Sequence, residues 1–198
     1  PELVRYLILV ATFEKLLFHL RGLDLSEQIF EGYVTKYLVM PLRYFSLALG
    51  RFGQYLAVQL VTAAGLWVAG LLLVPQWWPR PASAGALAQA LTLIVLGSYC
   101  YFLTYFIVNA MAFWLDVVWT LLVMTGFVLT FVSGTLLPVS IMPTALREAF
   151  AWTFPYWALS APIEIYLGRL GPEAFLRGLG VLAGSVLALE LARRVVWE

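Results

Sequence analysis

Pro138, Pro143, Pro155 and Pro162 interrupt a stretch of chain that is otherwise apolar enough to lie in a membrane. The stretch begins as a plain apolar run, Val117 to Leu137, long enough to read as a full membrane span. Pro138-Val-Ser-Ile-Met-Pro143 then stops the helix, and a short amphipathic piece runs from Thr144 to Phe154. In that piece Leu146, Ala149, Phe150 and Thr153 share one face, and Arg147, Glu148 and Trp152 the other. Pro155 stops it in turn, and Tyr156 to Leu167 continues apolar, broken by Pro162, as far as Gly168-Arg169. Each proline removes a backbone donor and collides with the preceding turn, so one straight helix is excluded. Non-helical backbone at membrane depth survives only where protein or a water-filled cavity shelters it. The stretch therefore predicts a span followed by a re-entrant broken element, Pro138 to Gly168, which turns back without crossing.

Composition places the whole chain in a bilayer. Of 198 residues, 63% are apolar and only 12% charged, with a mean hydropathy of +0.90. Soluble domains carry roughly 25% charged residues. The net charge of +1 offers no basic face for nucleic acid, and the single Cys100 excludes a disulfide framework or a thiolate metal site. The chain opens at Pro1 rather than Met, and the expectation is a fragment whose N-terminal region is missing.

Taken in order, the apolar runs predict one helical membrane domain over residues 1–198 with spans at about 3–20, 47–74, 87–113, 117–137 and 174–191. The first, Leu3 to Leu20, carries Arg5, Glu14 and Lys15; its alternative is a half-buried interfacial helix. Between the first two runs, Leu25 to Val39 reads as an amphipathic helix of about four turns. Asp24 and Glu27 form a capping-box-like pair at its start, and Met40-Pro41 ends it. Leu25, Ile29, Tyr33 and Lys36 or Tyr37 follow one face; Glu27, Gln28, Glu31 and Thr35 follow the other. Such a helix either lies on the membrane or docks a soluble partner, and periodicity favours neither. Pro75 to Gly85, with Trp77 and Trp78, is a rigid interfacial loop. Lys15, Arg21, Lys36, Arg43, Arg51, Arg193 and Arg194 fall on one side of this layout and Arg5, Arg80, Arg147, Arg169 and Arg177 on the other, a bias that puts residues 21–46 and the C-terminus in the cytoplasm.

Catalytic chemistry is thin. Lys15 and Lys36 are the only lysines, neither following a glycine-rich loop, so no nucleotide-binding motif is present. His19 is the only histidine, and Ser133 in Val132-Ser133-Gly134 has nothing to activate it, so no catalytic or metal-ligating residues are assigned. Three constellations remain. Gly126, Thr130 and Gly134, like Gly180, Gly184 and Ala188, recur every four residues and let helices approach closely, within one subunit or between two. Ser98, Tyr101, Tyr105 and Asn109, with Phe102, form a polar-aromatic stripe that could line a pathway or serve interhelical hydrogen bonding. Glu164 would be costly unpaired in the membrane, and either Arg147 or Arg169 is its expected partner.

Ile29-Phe-Glu-Gly-Tyr-Val-Thr-Lys-Tyr-Leu-Val-Met-Pro41-Leu42 resembles the segment after the second span of ABC-2-type exporter permeases, where an I-x-x-G-x-L-x-x-Y-L-x-x-P-L text is common. Phe113 to Trp119, Ser133-Gly134 to Pro138, Phe154-Pro155, and Pro162-Ile163 through Ile165 to Arg169 resemble later landmarks of that family in order. The likeness runs from Glu2 through nearly the whole chain and extends to the branch encoded as separate six-span subunits; the family's N-terminal helix and first span have no counterpart here. The resemblance implies an all-α polytopic bundle of the ABC-2 exporter type in the cell membrane, the cytoplasmic membrane if the source is bacterial. It implies a homo- or heterodimer with a second permease, contact with membrane lipid, and a separate ATPase subunit holding ATP and Mg, none of which this chain would bind. It places ATPase coupling on the 25–39 helix, at Glu27, Glu31, Tyr33 and Lys36. It makes the segment with Pro138, Pro143, Pro155, Pro162 and Glu164 the outward-facing re-entrant region. The competing reading from composition alone is a membrane scaffold or assembly protein without transport.

Overall fold

The computed structural model describes residues 2–17, 24–39, 43–137 and 139–197. Among these the chain is helical throughout: α1 (Glu2–Glu14), α2 (Leu25–Phe30), α3 (Val34–Val39), α4 (Tyr44–Leu73), α5 (Ala84–Ala110) continued by a 3-10 turn at Met111–Phe113, α6 (Trp119–Val132), a 3-10 turn at Val139–Ile141, α7 (Thr144–Phe150), α8 (Phe154–Ala158), α9 (Ser160–Tyr166) and α10 (Pro172–Trp197). The protein is an all-α polytopic membrane protein. Among the described residues three helices are long and apolar enough to cross a bilayer: Tyr44–Leu73 with 30 residues, Ala84–Phe113 with 30, and Pro172–Trp197 with 26. At about 1.5 Å per residue each exceeds the roughly 30 Å hydrocarbon core.

α5 is the axis of the bundle. Some 56% of its most apolar window is buried, against 11% in each of α4 and α10. Around it pack α10, α9, α8, α6 and α2, while α4 reaches it through rings: Phe45 meets Phe106 edge-on at 5.2 Å and Phe52 stacks on Phe102 at 4.9 Å. The turns sort into two ends. At one, Tyr44 and Phe113 both meet Trp197, at 5.6 and 5.9 Å, so the start of α4 and the ends of α5 and α10 lie together. At the other, the Tyr166 hydroxyl donates to the Pro79 carbonyl at 3.1 Å and the Tyr166 carbonyl accepts from the Ala82 N–H at 3.0 Å. Phe13 and Trp67 pack on the same Tyr166 ring, and Arg5 donates to the Gln76 carbonyl at 3.3 Å. The tryptophan loop and the end of α9 thus share the end opposite α2, while α8 lies beside Gly97 and Tyr101 in the middle of α5.

Several expectations change. The apolar run 117–137 forms a helix of only 14 residues, Trp119–Val132, about 21 Å long and short of a full crossing. It stops at Ser133 because Gly134 takes φ +83 and the Gly134 and Thr135 amides fold back onto the Phe131 and Thr130 carbonyls at 3.2 and 3.3 Å, satisfying the helix's last acceptors. Of the first run, 3–20, the described part is helical over Glu2–Glu14, and the Tyr55 hydroxyl lies 3.1 Å from both the Lys15 and Leu17 carbonyls just beyond it. The predicted four-turn helix 25–39 is two six-residue helices divided at Gly32, where φ is +74. Asp24 precedes α2 but its carboxylate makes no capping bond.

The prolines also act differently from the sequence reading. Pro143 immediately precedes α7, Pro155 is the second residue of α8, and Pro162 is the third residue of α9. The first turn of a helix has amides without intrahelical acceptors, so proline loses nothing there. They open the short helices instead of stopping the preceding ones; α8 and α9 are divided at Leu159, whose φ and ψ are −132° and −63°. In α7 the expected apolar face packs through Phe150, edge-on to Phe131 at 5.8 Å, while Leu146 and Ala149 are exposed. Pro138, His19, Leu20, Arg21 and Met40-Pro41-Leu42 lie outside the described residues.

Candidate functional site

The end formed by α2 and α3 presents a surface anchored from beneath. Leu25 is fully buried, the Ser26 amide donates to Asn109 Oδ1 at the end of α5 at 3.3 Å, and the Tyr44 hydroxyl donates to Gln28 Oε1 at 3.4 Å. Tyr37 meets the Tyr44 ring edge-on at 5.2 Å, so both short helices rest on the start of α4. Above these anchors Glu27, Glu31, Tyr33 and Lys36 are exposed, and the Lys36 ammonium stands 4.8 Å from the Tyr37 ring centre and 5.7 Å from that of Tyr33. Phe30, 52% exposed, belongs to this surface and was not singled out from the sequence. Its position three residues after Glu27 is the signal that puts it on the acidic face.

The stripe Ser98, Tyr101, Tyr105 and Asn109 is buried, with exposures of 0, 2, 3 and 0%. Tyr101 donates to the Leu129 carbonyl of α6 at 3.4 Å and its ring meets Phe154 of α8 edge-on. Asn109 donates to the Tyr105 carbonyl at 2.9 Å and holds Ser26 as described. The stripe is packed inside the bundle, where Tyr101 and Asn109 tie α5 to α6, α8 and α2. Ser98 Oγ has no hydrogen-bond partner among the described residues.

A charged cluster inside the bundle escaped sequence reading. Glu190 on α10 accepts a short hydrogen bond from the Tyr99 hydroxyl of α5 and another from Arg193 Nε at 2.7 Å. The Arg193 guanidinium lies 4.0 Å from the centre of the Phe45 ring on α4, and its side chain is only 9% exposed. The three long helices therefore meet at one ion pair. An acid three residues before an arginine in an apolar helix was the available signal.

The small-residue rows divide: Gly134 faces Ser160 and Val139, whereas Gly180 and Gly184 face open space.

At the opposite end the broken element encloses a cavity of about 250 Å³ lined by Tyr6, Val139, Arg147, Tyr156, Ser160, Glu164, Arg169 and Leu170. The local fold builds it. α9 ends with Gly168 at φ +74, a conformation that suits a residue without Cβ. The Gly168 and Arg169 amides then fold back onto the Ile165 and Glu164 carbonyls, both at 2.9 Å, as in a glycine-terminated helix. That turn returns the Arg169 side chain to Glu164, Nη1 to Oε2 at 3.4 Å, so the expected partner of Glu164 is Arg169. Arg147 Nη2 donates to the Met142 carbonyl at 3.4 Å, and Ser160 Oγ donates to the Ser133 carbonyl at 2.6 Å. Burial raises the Tyr156 phenol above its ordinary range, Glu164 adding to the shift and Arg147 and Arg177 opposing it, so the hydroxyl stays a donor.

Long apolar helices, a broken element at one end and an anchored helical pair at the other define an all-α polytopic membrane protein. The chain belongs to the family described as ABC-2 family transporter protein, whose model matches residues 2–198. No curated protein and no solved structure matches it. It is the membrane permease of an ATP-binding cassette transporter.

Proposed function

We propose that this permease is driven by a separate ATPase subunit that seats on the α2–α3 surface, and that it exports its substrate. The observation that carries this reading is the combination of exposed Glu27, Phe30, Glu31, Tyr33 and Lys36 with buried anchors to α4 and α5. A surface group that must pass on a push needs both: side chains free to meet a partner, and a rigid connection to the spanning helices. Through Asn109 the pair α2–α3 acts on α5, and through Tyr44 on α4. The ATPase would hold ATP and Mg, as the absence of a nucleotide motif in this sequence suggests. A second permease, identical or not, would complete the pathway; the exposed row of Gly180 and Gly184 on α10 is a surface on which two such helices could approach.

Charge reversal tests the docking surface. Glu27→Lys combined with Glu31→Lys should leave the protein in the membrane while releasing a co-expressed ATPase from it on purification, and should uncouple ATP hydrolysis from transport. Unchanged copurification and unchanged transport would remove α2–α3 from the coupling role.

A further inference from the structure

α4 is attached to the bundle differently from the other long helices. α10, α9, α8, α6 and α2 pack closely on α5, and α4 is not among them. What α4 offers α5 is a seam of single side chains at positions 45, 48 and 52, three and four residues apart and so on one face. Phe45 meets Phe106 and Phe52 stacks on Phe102, and Ala48 between them is 2% exposed. The bonds of Tyr55, further along, go to the segment after α1. At the tryptophan-loop end Trp67 meets both Trp78 and Tyr166, and the Trp78 ring lies flush against the Gly70 backbone, where a Cβ would come within 2.3 Å of it. A helix clamped at one end and held by separate side chains at the other is built to swing as a rigid rod.

Arg193 closes the swinging end. Its guanidinium lies 4.0 Å from the centre of the Phe45 ring, and its Nε donates to Glu190 at 2.7 Å, whose carboxylate also takes the Tyr99 hydroxyl of α5. The two sides of this cation differ. Glu190, three residues away on the same helix, matches its charge whether or not a ring lies over it. The Phe45 side is a cation–π contact, which draws on the negative face of the ring and strengthens where water is excluded. Letting go of Phe45 therefore leaves the ion pair intact and avoids the costly event at such a site, a buried charge without its partner. Phe45 also adjoins Tyr44, whose ring and hydroxyl bear on Tyr37 and Gln28 of the α2–α3 pair. A displacement of α2–α3 thus reaches Phe45 within one residue.

We propose that Phe45 and Arg193 form a catch that holds the α2–α3 end of α4 against α5 and α10, and that nucleotide binding by the ATPase releases it and opens the seam at Ala48. The catch itself needs nothing of the ATPase; its release rests on the docking reading given above.

The test places Ala48→Cys in a Cys100→Ser background and follows its reaction with a small maleimide, whose rate reports how often the seam opens. In the purified protein without nucleotide, position 45 carries phenylalanine with none, one, two or three fluorines, which keep the ring's shape while draining its negative face. The rate should climb with each fluorine, by about fivefold or more at three; damage to the fold would not follow the fluorine count. Arg193→Gln removes the cation and should flatten the series at a high rate. With the ATPase bound, ATP and vanadate should raise the rate several-fold in the protein with an unfluorinated ring. A flat fluorine series, or the same climb in Arg193→Gln, would overturn the catch whatever the ATPase does. A rate indifferent to nucleotide while the ATPase stays bound would overturn its release. ATPase binding that survives Glu27→Lys with Glu31→Lys would instead remove the docking reading and leave the fluorine series standing.

Discussion

Replacing Glu190 removes, in one step, the acceptor for groups on two helices. Its carboxylate takes the Tyr99 hydroxyl on one oxygen and Arg193 Nε on the other at 2.7 Å, and the Arg193 guanidinium has the Phe45 face on a further side. A hydrogen bond between neutral groups on membrane helices contributes about 0.6 kcal/mol, but a charged acceptor raises this to about 1.5–3 kcal/mol. Breaking a buried pair by removing one partner costs about 3–5 kcal/mol. The Glu190 side chain is 25% exposed against 9% for Arg193, so water recovers part of the loss. Glu190→Ala should therefore destabilise by about 3 kcal/mol, at the bottom of that range. Tyr99→Phe alone should cost about 1.5 kcal/mol and, in the Glu190→Ala background, close to nothing. The two costs would be measured by unfolding in mixed micelles of increasing dodecyl sulfate, as a double-mutant cycle. Equal costs of Tyr99→Phe in both backgrounds would show that the two side chains do not interact, and a Glu190→Ala cost under about 0.5 kcal/mol would deny the Tyr99–Glu190–Arg193 cluster a role in stability.

Ser98→Ala should leave stability unchanged or raise it by up to about 1 kcal/mol, because it deletes a buried hydroxyl without a partner among the described residues; a loss above 1 kcal/mol in the same unfolding assay would mean the hydroxyl is satisfied. Asn109→Ala should cost about 1–2 kcal/mol and loosen the ATPase from the permease on copurification, since it cuts α2 from α5; unaltered copurification would confine Asn109 to packing. Gly168→Ala should cost at least about 1 kcal/mol, from its positive φ and from Ala82 within 2.7 Å of the added carbon; an unchanged midpoint in the same unfolding assay would mean that the turn after α9 tolerates a side chain.

How far the sequence could be read depended on distance along the chain. The pairing of Glu164 with Arg169 was foreseeable because the partners are five residues apart and joined by a glycine turn. Of the five spans expected from the apolar runs, those at 47–74, 87–113 and 174–191 coincide with the long helices α4, α5 and α10. The expected end of the 117–137 span failed because an apolar run continues to Leu137 while the helix stops where Gly134 lets the backbone reverse. The prolines were read as stops because in an apolar run nothing distinguishes an interior position from a first turn, where proline is harmless. The Ser98 to Asn109 stripe was correctly seen as one face of a helix, but periodicity is silent on whether that face meets water or Leu129, Phe154 and Ser26. Tyr99 and Glu190 lie 91 residues apart, and no local pattern connects them.

The most direct test of the account concerns sidedness, because a permease driven from the cytoplasm needs α2–α3 on one side and the broken element returning on the other. Single cysteines at Glu31, Glu148 and Gly171 in a Cys100→Ser background would be probed in intact cells with a membrane-impermeant maleimide. The account predicts labelling at Glu148 and Gly171 from outside, and at Glu31 only after the membrane is opened. Glu148 and Gly171 on opposite sides would mean that the broken element crosses the membrane, and Glu31 labelled from outside would place the proposed docking surface where no ATPase can reach it.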